Sequence, residues 1–180
     1  GPLGAPVPTG HPEVDRMLGG GYRRSAAVLI AGPSGTGKTT FASLFARAAA
    51  RRGERVLWIG LEESESATVE TMRSSGTDLA PAVRAGRPRL VTAMPEAMSA
   101  DLHLVRFLGE LDGFDPHHVV VDAISATRRM GSERDAFDVL IRLVSAFKSR
   151  GVPSLLLSET GGRGGEAAAL SGADLSSVVD

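Results

Sequence analysis

Apolar and polar positions along this chain alternate between short hydrophobic runs and longer stretches of helical period. Segments built on apolar runs at 27–31, 56–61, 90–92, 118–122 (its run closing on Asp122) and 155–157 read as short buried strands. Between them, apolar residues recur at helical spacing. Phe41, Leu44, Phe45 and Ala48 predict a helix from about 39 to 52, stopped by Gly53. A second helix is expected at 66–73 before Gly76, and a short turn capped by Asp78 through Arg84, broken by Gly86-Arg87-Pro88. Ser99 or Asp101 starts a helix whose apolar face is Leu104, Val105, Leu108 and Leu111, with Gly113 ending it. After a loop at 128–132, the spacing of Ser132 and Asp135 resembles a capping box. The helix it opens carries Leu140, Leu143, Val144 and Phe147 on one face and stops at Gly151. Residues 5–25 are irregular, with a short helix at 12–18 (Val14, Met17, Leu18 on one face) and a Gly19-Gly20-Gly21 loop. His117-His118 reads as a polar lead-in to the fourth strand, 161–172 as a loop and 175–179 as a last strand.

Strands alternating with helices imply βαβ units, hence an α/β fold with a mostly parallel central sheet and helices on both faces. Right-handed crossovers put all the strand C-terminal ends on one edge. The segments that follow strands should therefore meet there: Gly32 to Thr39, Glu62-Glu63, Asp122 and Ser158-Glu159-Thr160. No internal repeat is present, and the length suits a single domain over 5–180. Gly1-Pro2-Leu3-Gly4 reads as the scar of a cleaved expression tag.

The segment Gly32-Pro33-Ser34-Gly35-Thr36-Gly37-Lys38-Thr39 fits G-x-x-x-x-G-K-[ST], after a strand and before a helix, as the phosphate-binding loop requires. Glycines let backbone N–H groups turn toward phosphate oxygens, and the helix N-terminus that includes Thr40 adds partial positive charge. Lys38 is placed to reach the β- and γ-phosphates of ATP, and the Thr39 hydroxyl to ligate Mg²⁺. The run Val119-Val120-Val121-Asp122 delivers a carboxylate from a strand end, the pattern of a metal-anchoring Asp. Glu62 and Glu63 are candidates for the base that orients the attacking group. On spacing alone they serve equally as a solvated acidic loop capping the next helix.

Composition narrows the partners. A net charge of −1 predicts no general affinity for polyanions. With no cysteine there is no disulfide or thiolate metal site, and the four histidines form no ligand-spaced cluster. No apolar run approaches a membrane span and no leader pattern opens the chain, so a cytoplasmic protein without membrane contact is expected. Lys38 and Lys148 are the only lysines in an arginine-rich chain, which sets Lys38 apart.

The chain resembles the RecA superfamily of P-loop ATPases, and within it the KaiC family of circadian clock proteins. The resemblance is carried by TGHPEVDRMLGGG, GPSGTGKT, RRGERVLWIGLEES, DLHLVRFLGELDGFDPHHVVVDAISA and ADLSSVVD, and covers nearly all of residues 9–180. It implies a RecA-like fold, ATP and Mg²⁺ as ligands, slow hydrolysis and Glu62 and Glu63 as catalytic carboxylates. It also implies self-association into a hexameric ring with ATP at subunit interfaces, and clock-type regulatory proteins as partners. The chain is most similar to the second, autokinase half of that family. Ser176 and Ser177 fall where that half places its phosphoacceptor pair, Ser171 where it places a further acceptor threonine, and Arg129 where it places an arginine near the acceptors. A serine hydroxyl would then replace water as nucleophile. Ser25 stands where a glycine is usual and Ala123 where a polar residue is usual. The family continues past the serine pair with further strands and a basic segment reaching the neighbour's ATP. These 180 residues hold no such segment, which reads either as a real lack that puts activation across subunits and the ring in doubt or as truncation at the C-terminus.

Two rival readings remain at this stage. A RecA- or DnaB-like DNA motor would use the loops at 128–134 and 160–166, which carry arginines but lack aromatics for base stacking. An assembly scaffold would bind ATP and hardly hydrolyse it.

Overall fold

The structure, a computed structural model, describes residues 5–160 except 18, 24–25, 34, 63, 75 and 77–78. Five parallel strands form one sheet in the order β1-β5-β4-β2-β3. They are β1 (Ala27–Gly32), β2 (Val56–Gly60), β3 (Arg89–Thr92), β4 (His118–Asp122) and β5 (Ser154–Glu159). The helices are α1 (Pro12–Met17), α2 (Lys38–Arg51), α3 (Glu65–Ser74), α4 (Ala80–Arg84), α5 (Ala100–Phe114) and α6 (Glu133–Ser149). Two 3₁₀ turns, Pro95–Ala97 and Ile124–Met130, complete the described elements.

Side chains alternate across a strand, and here the alternation feeds two separate cores. Leu57, Ile59, Val119, Val121 and Leu156 pack with residues of α5 and α6. Val56, Trp58, Val120, Leu155 and Leu157 pack with α2 and with Met72 of α3. Strands buried on both faces need apolar residues at every position, which is why β2 and β4 read as unbroken runs rather than as alternating patterns. On α6, Leu140, Leu143, Val144 and Phe147 are all buried, each contributing roughly 1.5–3 kcal/mol relative to exposure.

Register then fixes the functional edge. Gly32 lies opposite Glu159, Gly60 opposite Asp122 and Thr92, and Asp122 opposite Leu157. Beyond the last pairs, Leu61 N–H donates to the Asp122 carbonyl (2.8 Å) and Thr160 N–H to the Gly32 carbonyl (3.0 Å).

The capping box forms: Ser132 Oγ accepts from Asp135 N–H (3.1 Å), and Asp135 Oδ2 accepts from Ser132 N–H (3.2 Å). Four sequence expectations change. Val105 is 65% exposed, because the face of α5 that meets the sheet runs through Leu104, Phe107 and Leu111, and residue 105 lies a third of a turn away. That helix passes Gly113 and ends at Asp115, the left-handed residue (φ 49°). The expected loop at 128–132 begins instead as the tail of the 3₁₀ turn Ile124–Met130, held because Ile124, Ala126, Thr127 and Met130 are buried. His118 is no solvated lead-in: it is 2% exposed, its Nδ1 pairs with Tyr22 OH (3.2 Å) and its Nε2 with Glu54. His103, too, is buried, its Nε2 bonded to the Pro95 carbonyl (2.9 Å). The expectations for Asp78, for Leu18 and for the strand at 175–179 lie outside the described residues, as does the Met17 side chain.

Tyr22 ties the irregular N-terminal segment to the sheet. Val7 and Tyr22 exchange backbone hydrogen bonds (2.8 and 3.0 Å), and the Tyr22 ring packs on Phe45. Gly21 makes that approach possible, since its φ is 135° and a Cβ there would lie 2.0 Å from the Val7 carbonyl oxygen.

Candidate functional site

At the C-terminal edge of the sheet, β1 turns at Gly32 into the loop that leads to α2. Gly35 (φ 79°) and Gly37 (φ 91°) take left-handed conformations open to glycine at little cost. They wind the loop tightly enough for α2 to begin at Lys38. Gly32 is needed for a different reason: a Cβ there would press on Thr36 Oγ1 at 3.0 Å. Thr36 Oγ1 donates to the Pro33 carbonyl (2.7 Å), which braces the loop. Among the described residues no side chain caps the N-terminus of α2, and its first turn holds no acidic residue. The N–H groups at that terminus and the helix dipole therefore face an anion without competition. Ser34 lies outside the described residues.

Lys38 Nζ donates to the carbonyls of Gly32 (2.7 Å) and Pro33 (2.8 Å). The ammonium thus sits folded over the loop's own entrance, and a phosphate would take it by exchanging carbonyl oxygens for phosphoryl ones. Thr39 and Thr40 follow on the first turn of the helix and are half-buried.

Across the sheet edge, Thr39 Oγ1 donates to Asp122 Oδ2 at 3.2 Å, a contact between residues 83 positions apart. A hydroxyl and a carboxylate oxygen held this close are hard donors of the kind Mg²⁺ takes, so the pair fits that ion, with water completing its shell. Glu62 follows β2 and shares a cavity with Thr39, Asp122 and Glu159. Ser64 Oγ accepts from Ala67 N–H (3.2 Å) at the start of α3. The helix cap that the sequence left open for the acidic pair is therefore supplied by a serine. Glu63 lies outside the described residues, as do Ser171, Ser176 and Ser177.

Arg129, at the end of the 3₁₀ turn, forms an ion pair with Glu96 (Nε to Oε1, 3.1 Å). Part of the loop suggested for DNA contact is thus engaged within the fold.

Sequence reasoning placed Glu159 on this edge without a role. The structure seats it against β1 and Ser125: its N–H donates to Ser125 Oγ (3.2 Å) and its residue lines the cavity. Reasoning missed Trp58, Thr68 and Thr71, which also line the cavity. A signal existed, since Trp58 and Gly60 fall on one face of β2, and residues 68 and 71 on one face of α3. Only the packing of α3 over β2 brings the two faces together.

Comparison with known proteins agrees with this geometry. The family model described as "ATPase: KaiC" matches residues 7–180. The chain is 34% identical over 160 residues to the circadian clock protein KaiC2 of Synechocystis sp. (strain ATCC 27184 / PCC 6803 / Kazusa), covering 88% of this chain and 28% of that protein. It is 29% identical over 174 residues to KaiC3 of the same organism, covering 97% and 34%. It is 33% identical over 141 residues to the circadian clock oscillator protein KaiC of Thermostichus vulcanus, covering 78% and 27%. The chain therefore spans about a third or less of the length of these relatives.

Proposed function

This chain belongs to the KaiC family of ATPases in the RecA superfamily, and from that premise we propose that it binds MgATP at the loop Gly32 to Thr39 and hydrolyses it slowly. The observation that carries the reading is the 3.2 Å contact between Thr39 Oγ1 and Asp122 Oδ2, with Glu62 on the same small cavity. That is where a triphosphate seated on the N-terminus of α2 would present its terminal phosphate. In this proposal the backbone of residues 32–39 and Lys38 neutralise the phosphates, and Thr39 and Asp122 hold Mg²⁺. The ion supplies charge stabilisation at the phosphoryl oxygens. Glu62 and Glu63 orient the attacking hydroxyl and accept its proton.

The nucleophile is water and, in the finer reading, a serine of the pair Ser176-Ser177, as in a kinase half, with Arg129 near the acceptor. Gly35, Thr36 and Gly37 are exposed at the sheet edge, so a bound nucleotide there is open to a second surface. This favours a homo-oligomer, a hexameric ring with ATP between subunits, as the working assembly, with a single domain over 5–180 as its unit. Clock-type regulatory proteins fit as further partners.

The test is phosphate release together with intact and peptide mass spectrometry after incubation with MgATP. Lys38→Ala should abolish nucleotide binding and all phosphate transfer. Glu62→Gln/Glu63→Gln should retain binding and lower turnover by about 10²–10⁴-fold. Phosphate on Ser176 or Ser177 that disappears in Lys38→Ala supports the autokinase. Its absence in protein that hydrolyses ATP leaves the ATPase alone, and undiminished release in the double variant removes the two glutamates from the mechanism.

A further inference from the structure

The cavity beside the Thr39–Asp122 pair measures about 70 Å³. A water needs about 10–15 Å³ of such space, so the cavity has room for ordered water. Among the described residues its polar wall is almost entirely acceptor. Glu62, Asp122 and Glu159 present carboxylates, which when ionised only accept. The three hydroxyls have committed their hydrogens: Thr39 Oγ1 to Asp122 Oδ2 (3.2 Å), Thr68 Oγ1 to the Ser64 carbonyl (2.9 Å) and Thr71 Oγ1 to the Ala67 carbonyl (3.0 Å).

One lining side chain still has a hydrogen to give. Trp58 is fully buried, and its indole Nε1 has no acceptor within hydrogen-bonding distance among the described residues. Buried N–H groups are satisfied in nearly every folded protein, by protein or by ordered water. The sequence makes the space beside the indole deliberately, because Gly60 is on the same face of β2 and carries no side chain. A Cβ at Gly60 would meet Thr92 Cγ2 at 3.5 Å and Thr68 Oγ1 at 3.7 Å, so the void comes from the missing side chain rather than from strained packing.

We propose that Trp58 is a positioning residue for the ATPase reaction: its indole N–H holds a water in this cavity, and that water directs its own hydrogens to the cavity carboxylates, Glu62 above all. A water whose lone pair is taken by the indole has both hydrogens to donate, and the wall offers mainly carboxylate oxygens to receive them. The bond adds a donor that holds the Glu62 carboxylate toward the cavity. The proposal rests on the reading of Glu62 as the base.

Trp58 is the only tryptophan in the chain, so its spectroscopic signals are unambiguous. Ultraviolet resonance Raman of the nucleotide-free protein reads whether its indole N–H is hydrogen-bonded. Kinetics are then compared for Trp58→Phe and for benzothienylalanine at position 58, which keeps the ring shape and puts sulfur in place of N–H. The sulfur analogue separates loss of the donor from loss of packing. The expected result is a hydrogen-bonded indole in the wild type. The analogue should show a kcat lower by about 10-fold with a KM for MgATP within about 2-fold of wild type. A free indole N–H in the wild type, or an analogue with wild-type kcat, overturns the proposal. Should Glu62→Gln release phosphate as fast as wild type, the base assignment fails, and the Raman band alone still decides whether the water is held.

Discussion

Acid should weaken this protein at Glu54, at the end of the sheet opposite the nucleotide edge. Glu54 accepts from Arg52 Nε through Oε1 (2.5 Å) and pairs with His118 Nε2 through Oε2, while His118 Nδ1 meets Tyr22 OH. Burial pushes the Glu54 carboxyl up, but the hydrogen bonds from Arg52 and His118, with their charges, outweigh it and lower it from 4.5 to about 2. A carboxylate whose pKa falls on folding adds stability that is present above the unfolded value and lost as pH drops through the folded one. Here the window runs from about pH 4.5 to about 2. The full shift corresponds to at most ~3.4 kcal/mol. Since the side chain keeps 26% of its exposure, solvent screening reduces this to roughly 1–2 kcal/mol.

The perturbation is Glu54→Gln, which preserves shape and removes the titration. Urea denaturation followed by circular dichroism should find the variant less stable by about 1–2 kcal/mol at neutral pH, with the gap closing toward zero near pH 2. His118 acts in the same direction. Burial pushes its pKa below 6.5 despite the Glu54 carboxylate, so the unfolded chain binds its proton first and stability falls as pH drops below that value. That loss is larger in the variant, whose His118 no longer has the carboxylate that raises its pKa, so the gap first widens below pH 6.5 and then closes between about pH 4.5 and about 2. A gap of constant size from neutral pH down to pH 2 would refute the assignment.

Two further outcomes follow from the backbone. Gly21→Ala should cost roughly 1–3 kcal/mol and free the N-terminal segment to protease, because its Cβ would fall 2.0 Å from the Val7 carbonyl oxygen. Gly19→Asn, where nothing lies within 4 Å and φ is 70°, should leave both thermal midpoint and proteolysis near wild type. Ser132→Ala removes one half of the capping box on α6 and should lower stability by about 1 kcal/mol in the same denaturation assay, without changing nucleotide affinity.

The phosphate-binding loop, the strand that ends in Asp122 and the alternation of strand and helix were all legible from residue order. Their signals are local: glycines at fixed offsets, apolar runs of strand length and period-3.6 faces are set by neighbours in the chain. Even the capping box on α6 could be read, since Ser132 and Asp135 are three residues apart. The cap of α3, which the sequence left to the acidic pair as one of two readings, is taken by a third residue, Ser64. The sequence put Thr39 and Asp122 on one edge, but their direct contact depends on three crossovers and a strand order that no local pattern encodes. The same holds for His118, whose polar identity suggested solvent. Burial became affordable there only when Tyr22 and Glu54, distant in sequence, supplied partners for both ring nitrogens. It holds as well for Trp58, which reads along the chain as one more core residue. Its indole N–H becomes chemistry only where α3 crosses the bare face of Gly60 and encloses a space lined by acceptors. Periodicity determines which face a side chain takes; the packing of elements far apart in the chain decides what that face meets.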